Sequence, residues 1–261
     1  MKLHTHTVEH TIWKLLPGTF PIVLLECRDA NQRQVYFSAF DLKLQKKLWE
    51  IPSPLNPWWT SLKDVSFGHV VLIRYPQPDM PETKGLAVLN EKNGALQWIE
   101  QDLQYLYAEK EGVIVSQGNE SEVQYRRLAW HTGHVIGAVS MKELFKQYNK
   151  KELHKSVQYP YHFDNENEFY PQLKTYIEQI HKESPVSGME YLEIGDKVII
   201  SYYLCTDSLY TNKLSISDNS SILYQATLSE DMKGVAWDTF FVQNNVVVVV
   251  QNLNQIISIE L

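Results

Sequence analysis

Cysteine is almost absent from this chain: of 261 residues only Cys27 and Cys205 carry thiols, too few for a disulfide framework, and nothing near them has zinc-ligand spacing. Both read as buried thiols in a reducing compartment, and a cytoplasmic protein is expected. Long apolar runs are missing as well. The longest, Val246 to Val250, is far too short to cross a bilayer, and the opening MKLHTHTVEHTIWKLLPG is broken by three histidines and Glu9, so neither signal peptide nor anchor is expected. Positive charge is scarce: 24 basic against 31 acidic residues leave a formal net charge of -7 with no basic stripe, which argues against a nucleic-acid partner. No Gly-x-Ser-x-Gly elbow, phosphate loop or dinucleotide fingerprint is present, and no metal site or cofactor is expected from any spacing. Hydrophobic residues make up 44% and aromatics 12%, ample for a sizeable core.

What the sequence does have is a repeat. Four ten-residue blocks align without gaps: FDLKLQKKLW (Phe40 to Trp49), LNEKNGALQW (Leu89 to Trp98), LAWHTGHVIG (Leu128 to Gly137) and ISDNSSILYQ (Ile216 to Gln225). Each reads as strand end, polar turn and strand start, with Gly94 and Gly133 at one turn position. Upstream of each lies a second unit, a β-rich run, a tight turn and a more apolar run: Asp64 to Tyr75, Tyr107 to Gly118, Tyr191 to Tyr203 and Phe240 to Asn252, with Pro21 to Asp29 as a shortened first copy. A four-strand unit of about 40 to 50 residues is the mark of a propeller blade.

The two ends of the chain complement each other. The last unit stops at QIISIEL after its third strand, and HTIWKLLP matches QKKLWEIP, with Trp13 corresponding to Trp49 and Pro17 to Pro52 one residue later. The expected fold is therefore all-β: one five-bladed β-propeller over residues 1–261, closed by an N-terminal strand that completes the C-terminal blade. Trp13, Trp49 and Trp98 recur at one position and are expected to pack between blades.

The blocks AFDLKLQKKLW and AVLNEKNGALQW resemble the repeat of quinoprotein-type (PQQ-like) β-propellers, in which a strand ending in Asp or Asn leads into a Gly turn and a Trp. The layout also resembles small bacterial propeller proteins of unassigned activity. The resemblance implies the fold. It brings no cofactor or catalytic residue, because the ligands that hold pyrroloquinoline quinone in the larger rings have no counterpart here.

The β pattern stops between about residues 140 and 187, where a helical insertion is expected. Ser140 and Glu143 form a capping box, followed at helical spacing by Met141, Leu144, Phe145 and Tyr148. Pro171 suits the first turn of a second helix with the stripe Leu173, Tyr176, Ile177 and Ile180, ending before Pro185. In a propeller this insertion, the segment Pro52 to Thr60 with Trp58 and Trp59, and the loop Pro76 to Glu82 with Asp79 would emerge at the same mouth of the central channel.

Between the two helices lies YPYHFDNENEFYP, in which Tyr161, Phe163 and Tyr170 can stack on a ligand ring, while His162, Asp164, Glu166 and Glu168 offer acid–base or hard-cation groups. The structural alternative is that the aromatics dock the insertion and the acids face water. His4 and His6 project to one side of an extended segment near His10, an arrangement that could chelate a metal by chance, but a flexible tail is the expectation; His131 and His134 flank a hairpin turn. The leading expectation is a binding or scaffolding protein without enzymatic activity. Its partner, a protein or small molecule of unknown identity, would be held at Trp58, Trp59, Asp79, Tyr161, His162, Asp164 and Glu166. The alternative is a carbohydrate-active hydrolase or lyase with two carboxylates converging below Trp58 or Trp59.

Overall fold

A computed structural model of the protein describes residues 1–77, 79–119, 122–147, 157–218 and 221–261. It is all-β: five antiparallel sheets of four or five strands, with two α-helices among the described residues. The strands form two compact units, His10–Lys155 and Met1–Glu9 with Ser156–Leu261.

The chain opens with β1 (Lys2–Thr7), which belongs to the last sheet. In the unit His10–Lys155, the first sheet runs β2 (Thr11–Pro17), β3 (Ile22–Asp29), β4 (Gln34–Asp41), β5 (Lys46–Pro52). The second runs β6 (Thr60–Ser66), β7 (His69–Arg74), β8 (Leu86–Asn90), β9 (Leu96–Glu100). The third runs β10 (Gln104–Glu109), β11 (Gly112–Asn119), β12 (Glu122–Ala129), β13 (Val135–Ala138). Each sheet is a meander in which sequence neighbours pair, so the ten-residue blocks are the β4–β5, β8–β9 and β12–β13 hairpins.

The unbroken apolar runs of β3 and β7 follow from burial on both faces. Val23, Leu24 and Leu25 in β3 and Val70, Val71 and Leu72 in β7 are all inaccessible. The one carboxylate within the β3 run, Glu26, is buried at no such penalty. Arg28 pairs with it at 2.7 Å, and the Ser61 hydroxyl and the Leu62 N–H each donate to it at 2.8 Å.

Past the third sheet the insertion begins with α1 (Met141–Gln147). The Ser140 N–H and hydroxyl donate to the Glu143 carboxylate at 2.7 Å and the Glu143 N–H donates back to Ser140 Oγ at 3.4 Å, the reciprocal cap that the spacing implies. Tyr148 lies outside the described residues. The insertion is not purely helical, as its sequence suggests. It also contributes β14 (Val157–Gln158) and β15 (Tyr161–Asp164) before α2 (Tyr170–His181). Both strands are too short for a period-two pattern to stand out in the sequence, and they exist because each finds a sheet edge.

The unit Met1–Glu9 with Ser156–Leu261 adds β16 (Gly188–Ile194), β17 (Lys197–Thr206), β18 (Leu209–Ser217) and β19 (Ile222–Met232), edged by β15. Then come β20 (Phe240–Gln243), β21 (Val246–Gln251) and β22 (Gln255–Glu260), edged by β14 on one side and β1 on the other. Leu192, Ile199, Leu214, Phe240, Val247 and Ile257 meet in a shared core.

The segment HTIWKLLP does not complete the last sheet; Thr11–Pro17 pairs with β3 of its own sheet, Leu16 opposite Leu24. The strand beside β22 is Lys2–Thr7, in register from Lys2 opposite Glu260 to Thr7 opposite Gln255, so His4 and His6 sit in a paired strand and not in a loose tail. Trp13 consequently occupies a first strand, not a fourth, and is 65% exposed, while Trp49 and Trp98 are buried.

Candidate functional site

β15 binds along the edge of β16 with Tyr161 opposite Tyr191, His162 opposite Glu190, Phe163 opposite Met189 and Asp164 opposite Gly188. Successive side chains of a strand point to opposite faces, so Phe163 and His162 serve two different environments.

On the Phe163 side, α2 lies over the sheet. Its sequence sets this placement: Pro171 sits in the first turn, Lys182 closes the helix in the left-handed conformation, and the stripe facing the sheet buries Tyr170 and Ile177 against Met189, Ile200 and Tyr202. The C-terminal end is fastened through Glu183, which accepts from the Tyr202 hydroxyl at 2.7 Å and from Lys213. Burial alone would raise the Glu183 carboxyl, but the hydrogen bonds from Lys213 and Tyr202 outweigh it and hold it below the ordinary carboxylate range. Between helix and sheet remains a recess of about 350 Å³ lined by Phe163, Phe169, Leu173, Tyr176, Tyr191 and Val198, with Gln172 as its polar member. The Tyr176 hydroxyl is engaged by Ser217 at 2.8 Å, so that ring is held in place.

On the other side, His162 Nε2 lies 3.0 Å from Asp238 Oδ1 and 3.3 Å from Glu190 Oε1. Trp237 stacks on the imidazole with ring centres 4.8 Å apart and planes 25° from parallel. Position 188 has to be glycine for this, since a Cβ there would sit 2.5 Å from the Trp237 ring. Glu190 is wholly buried. Burial pushes its carboxyl up, against the opposing pull of hydrogen bonds from Thr239 and Asp238 and of the neighbouring His162.

The candidates read from the sequence fall in both units. Tyr161 and His162 share β15, while Asp164 is a turn former whose Oδ1 accepts from the Glu166 N–H at 3.0 Å, and Glu166 is exposed. Trp58, Trp59 and Asp79 belong to the unit His10–Lys155. The Asn56 side chain accepts from the Trp58 and Trp59 N–H groups at 2.9 and 2.8 Å, which shapes that loop, and Asp79 is exposed in a turn. Trp58 and Trp13 flank the Arg28 guanidinium, 5.2 and 4.7 Å from their ring centres. Sequence reading passed over Glu190, Trp237 and Asp238. The one available signal was Glu190 itself, a carboxylate inside the apolar strand GMEYLEI.

The fold and site define an all-β protein of antiparallel four-strand meanders, with an insertion that builds a recess on one sheet. Residues 20–98 match the model of a domain of unknown function, DUF4905. No curated protein matches the chain. Among solved structures it is similar to BBS1N in complex with ARL6DN, from a crystal soaked with lead, at 7% identity over 95% of this chain and 65% of that one, TM-score 0.29. It is also similar to the Pyrococcus horikoshii acylaminoacyl peptidase, at 7% identity over 94% of this chain and 36% of that one, TM-score 0.32. The chain thus spans 65% and 36% of the lengths of these two proteins.

Proposed function

We infer that the chain is a non-enzymatic, cytoplasmic binding protein of five-bladed β-propeller architecture that holds a small ring-bearing apolar ligand between α2 and the β15–β19 sheet. The observation that carries the reading is the recess itself. About 350 Å³ is the lower range of small-ligand pockets, and four of the seven residues named around it are aromatic. Among the described lining residues the polar groups are the Tyr176 and Tyr191 hydroxyls, taken up by Ser217 and Glu193, and Gln172, so the lining offers mainly contact area and orientation. Arg28, which lies 5.2 Å from the Trp58 ring centre, is paired with Glu26, and that carboxylate is already engaged by Arg28, Ser61 and Leu62. The propeller reading is supported by the repeated hairpins and by β1, which supplies the last sheet from the far end of the chain. Two free thiols suit a reducing compartment.

The test is titration with the fluorescent probe 1-anilinonaphthalene-8-sulfonate, for the protein and for Leu173→Trp, which fills the recess from the helix side. Saturable binding at one equivalent that Leu173→Trp abolishes, with unchanged urea unfolding, is the expected result. Equal binding by the variant would overturn the assignment.

A further inference from the structure

We propose that His162, Glu190 and Asp238 form a binding site for one first-row divalent cation of the Zn²⁺ type. This site lies on the opposite face of β15 from the apolar recess and stands or falls independently of it.

Three ligand atoms, one from each side chain, lie within 4.8 Å of one another. The two spacings from His162 Nε2, 3.0 and 3.3 Å, are those of neighbouring ligands around one ion: a metal about 2.1 Å from the atoms of each pair would see them at roughly 90–105°, and the exposed Asp238 carboxylate would close the wider gap to Glu190, within 4.8 Å, as the ion binds. One imidazole with two carboxylates suits borderline metals. A site for Ca²⁺ or Mg²⁺ would be built from oxygen alone.

The surroundings hold the ligands in place. Glu190 is positioned by N–H groups of Asp238 and Thr239 and by the Thr239 hydroxyl, which in turn reaches Ser201 at 2.8 Å. Trp237 fixes the plane of the imidazole. Such outer partners orient metal ligands and set their basicity. Access is open on one side, since the side chains of His162 and Asp238 are 40% and 59% exposed while that of Glu190 is fully enclosed. Charge favours a cation as well. Two carboxylates converge on one imidazole nitrogen, which can serve only one of them well, and the buried one has no other cationic side chain against it among the described ion pairs. A metal ion between them satisfies both acids at once.

The experiment is calorimetric titration of the chelator-stripped full chain with Zn²⁺, paired with Co²⁺, whose visible bands report a protein nitrogen and oxygen ligand set. One equivalent should bind, and millimolar Mg²⁺ or Ca²⁺ should not displace it. His162→Ala and Asp238→Ala, both at exposed positions that leave the fold intact, should each weaken Zn²⁺ binding by at least about tenfold and abolish the Co²⁺ bands. His4→Ala/His6→Ala, which removes two histidines of β1, should bind as the parent chain does. Absence of stoichiometric binding, or parental affinity in His162→Ala and Asp238→Ala, would overturn the proposal. So would loss of binding in the His4/His6 variant alone.

Discussion

The Trp98 indole N–H donates to the backbone carbonyl of Trp130 at 2.7 Å, and its ring lies flat against Gly133 in the following hairpin turn. Trp49 repeats the arrangement one sheet earlier, donating to the Glu91 carbonyl at 2.7 Å and covering Gly94. Within the unit His10–Lys155 the fourth strand of one sheet is thus latched to the last turn of the next. Burial of the ring, a satisfied indole and a satisfied turn carbonyl come from the same contact.

Substitutions at this latch should be costly. Gly133 has φ +69°, and a Cβ there would meet the Trp98 ring at 2.9 Å. Gly133→Ala should lower stability by about 1–3 kcal/mol from backbone strain alone. Trp98→Phe should cost a similar amount, about 1–3 kcal/mol, by leaving the Trp130 carbonyl without its donor. Urea unfolding of both variants measures this, and midpoints equal to that of the parent would refute it.

Removal of residues 1–9 should expose the free edge of β22, where Ile256, Ile257 and Ile259 are otherwise buried. An unpaired apolar edge templates pairing between chains. Light scattering at rising concentration should therefore show self-association in the truncated chain beyond that of the full chain. Identical scattering would show that β1 is dispensable.

Acid should loosen α2 through Glu183. Its carboxyl is held below the ordinary range by Lys213 and Tyr202 once the opposing effect of burial is overcome. A depressed folded-state value means that the stabilisation is present above the unfolded-state value, about pH 4.3, and is lost as pH falls through the folded one. Amide exchange in α2 should accelerate below about pH 4.3, and Glu183→Gln should remove that pH dependence while speeding exchange at neutral pH. A parent chain without acid-dependent exchange there would contradict the account.

The two thiols should separate kinetically. Burial, reinforced by Glu50 and Glu26, pushes the Cys27 thiol up to about 12, whereas Cys205 is exposed. Ellman's reagent at mildly alkaline pH should titrate one thiol promptly and the second only after denaturation. Prompt reaction of both would mean that β3 opens readily.

Local order was legible in the sequence because its causes are local. Alternation, turn glycines and the Ser140–Glu143 cap act within a few residues, so the hairpins of the first three sheets and the start of α1 could be read directly. So could the shared burial of Trp49 and Trp98, which occupy one place in a repeat. Which N-terminal segment pairs with β22 was a different kind of question. KLHTHT and TIWKLLP are both competent strands, and register against a strand some 250 residues away decides between them. The candidate cation site is of that second kind. Residue 162 comes from the insertion, 190 from a strand and 238 from a turn, and no spacing along the chain relates them. Only the pairing of β15 with β16, and the Asp238 and Thr239 amides that fold back onto Glu190, bring one nitrogen and two carboxylates to a common point.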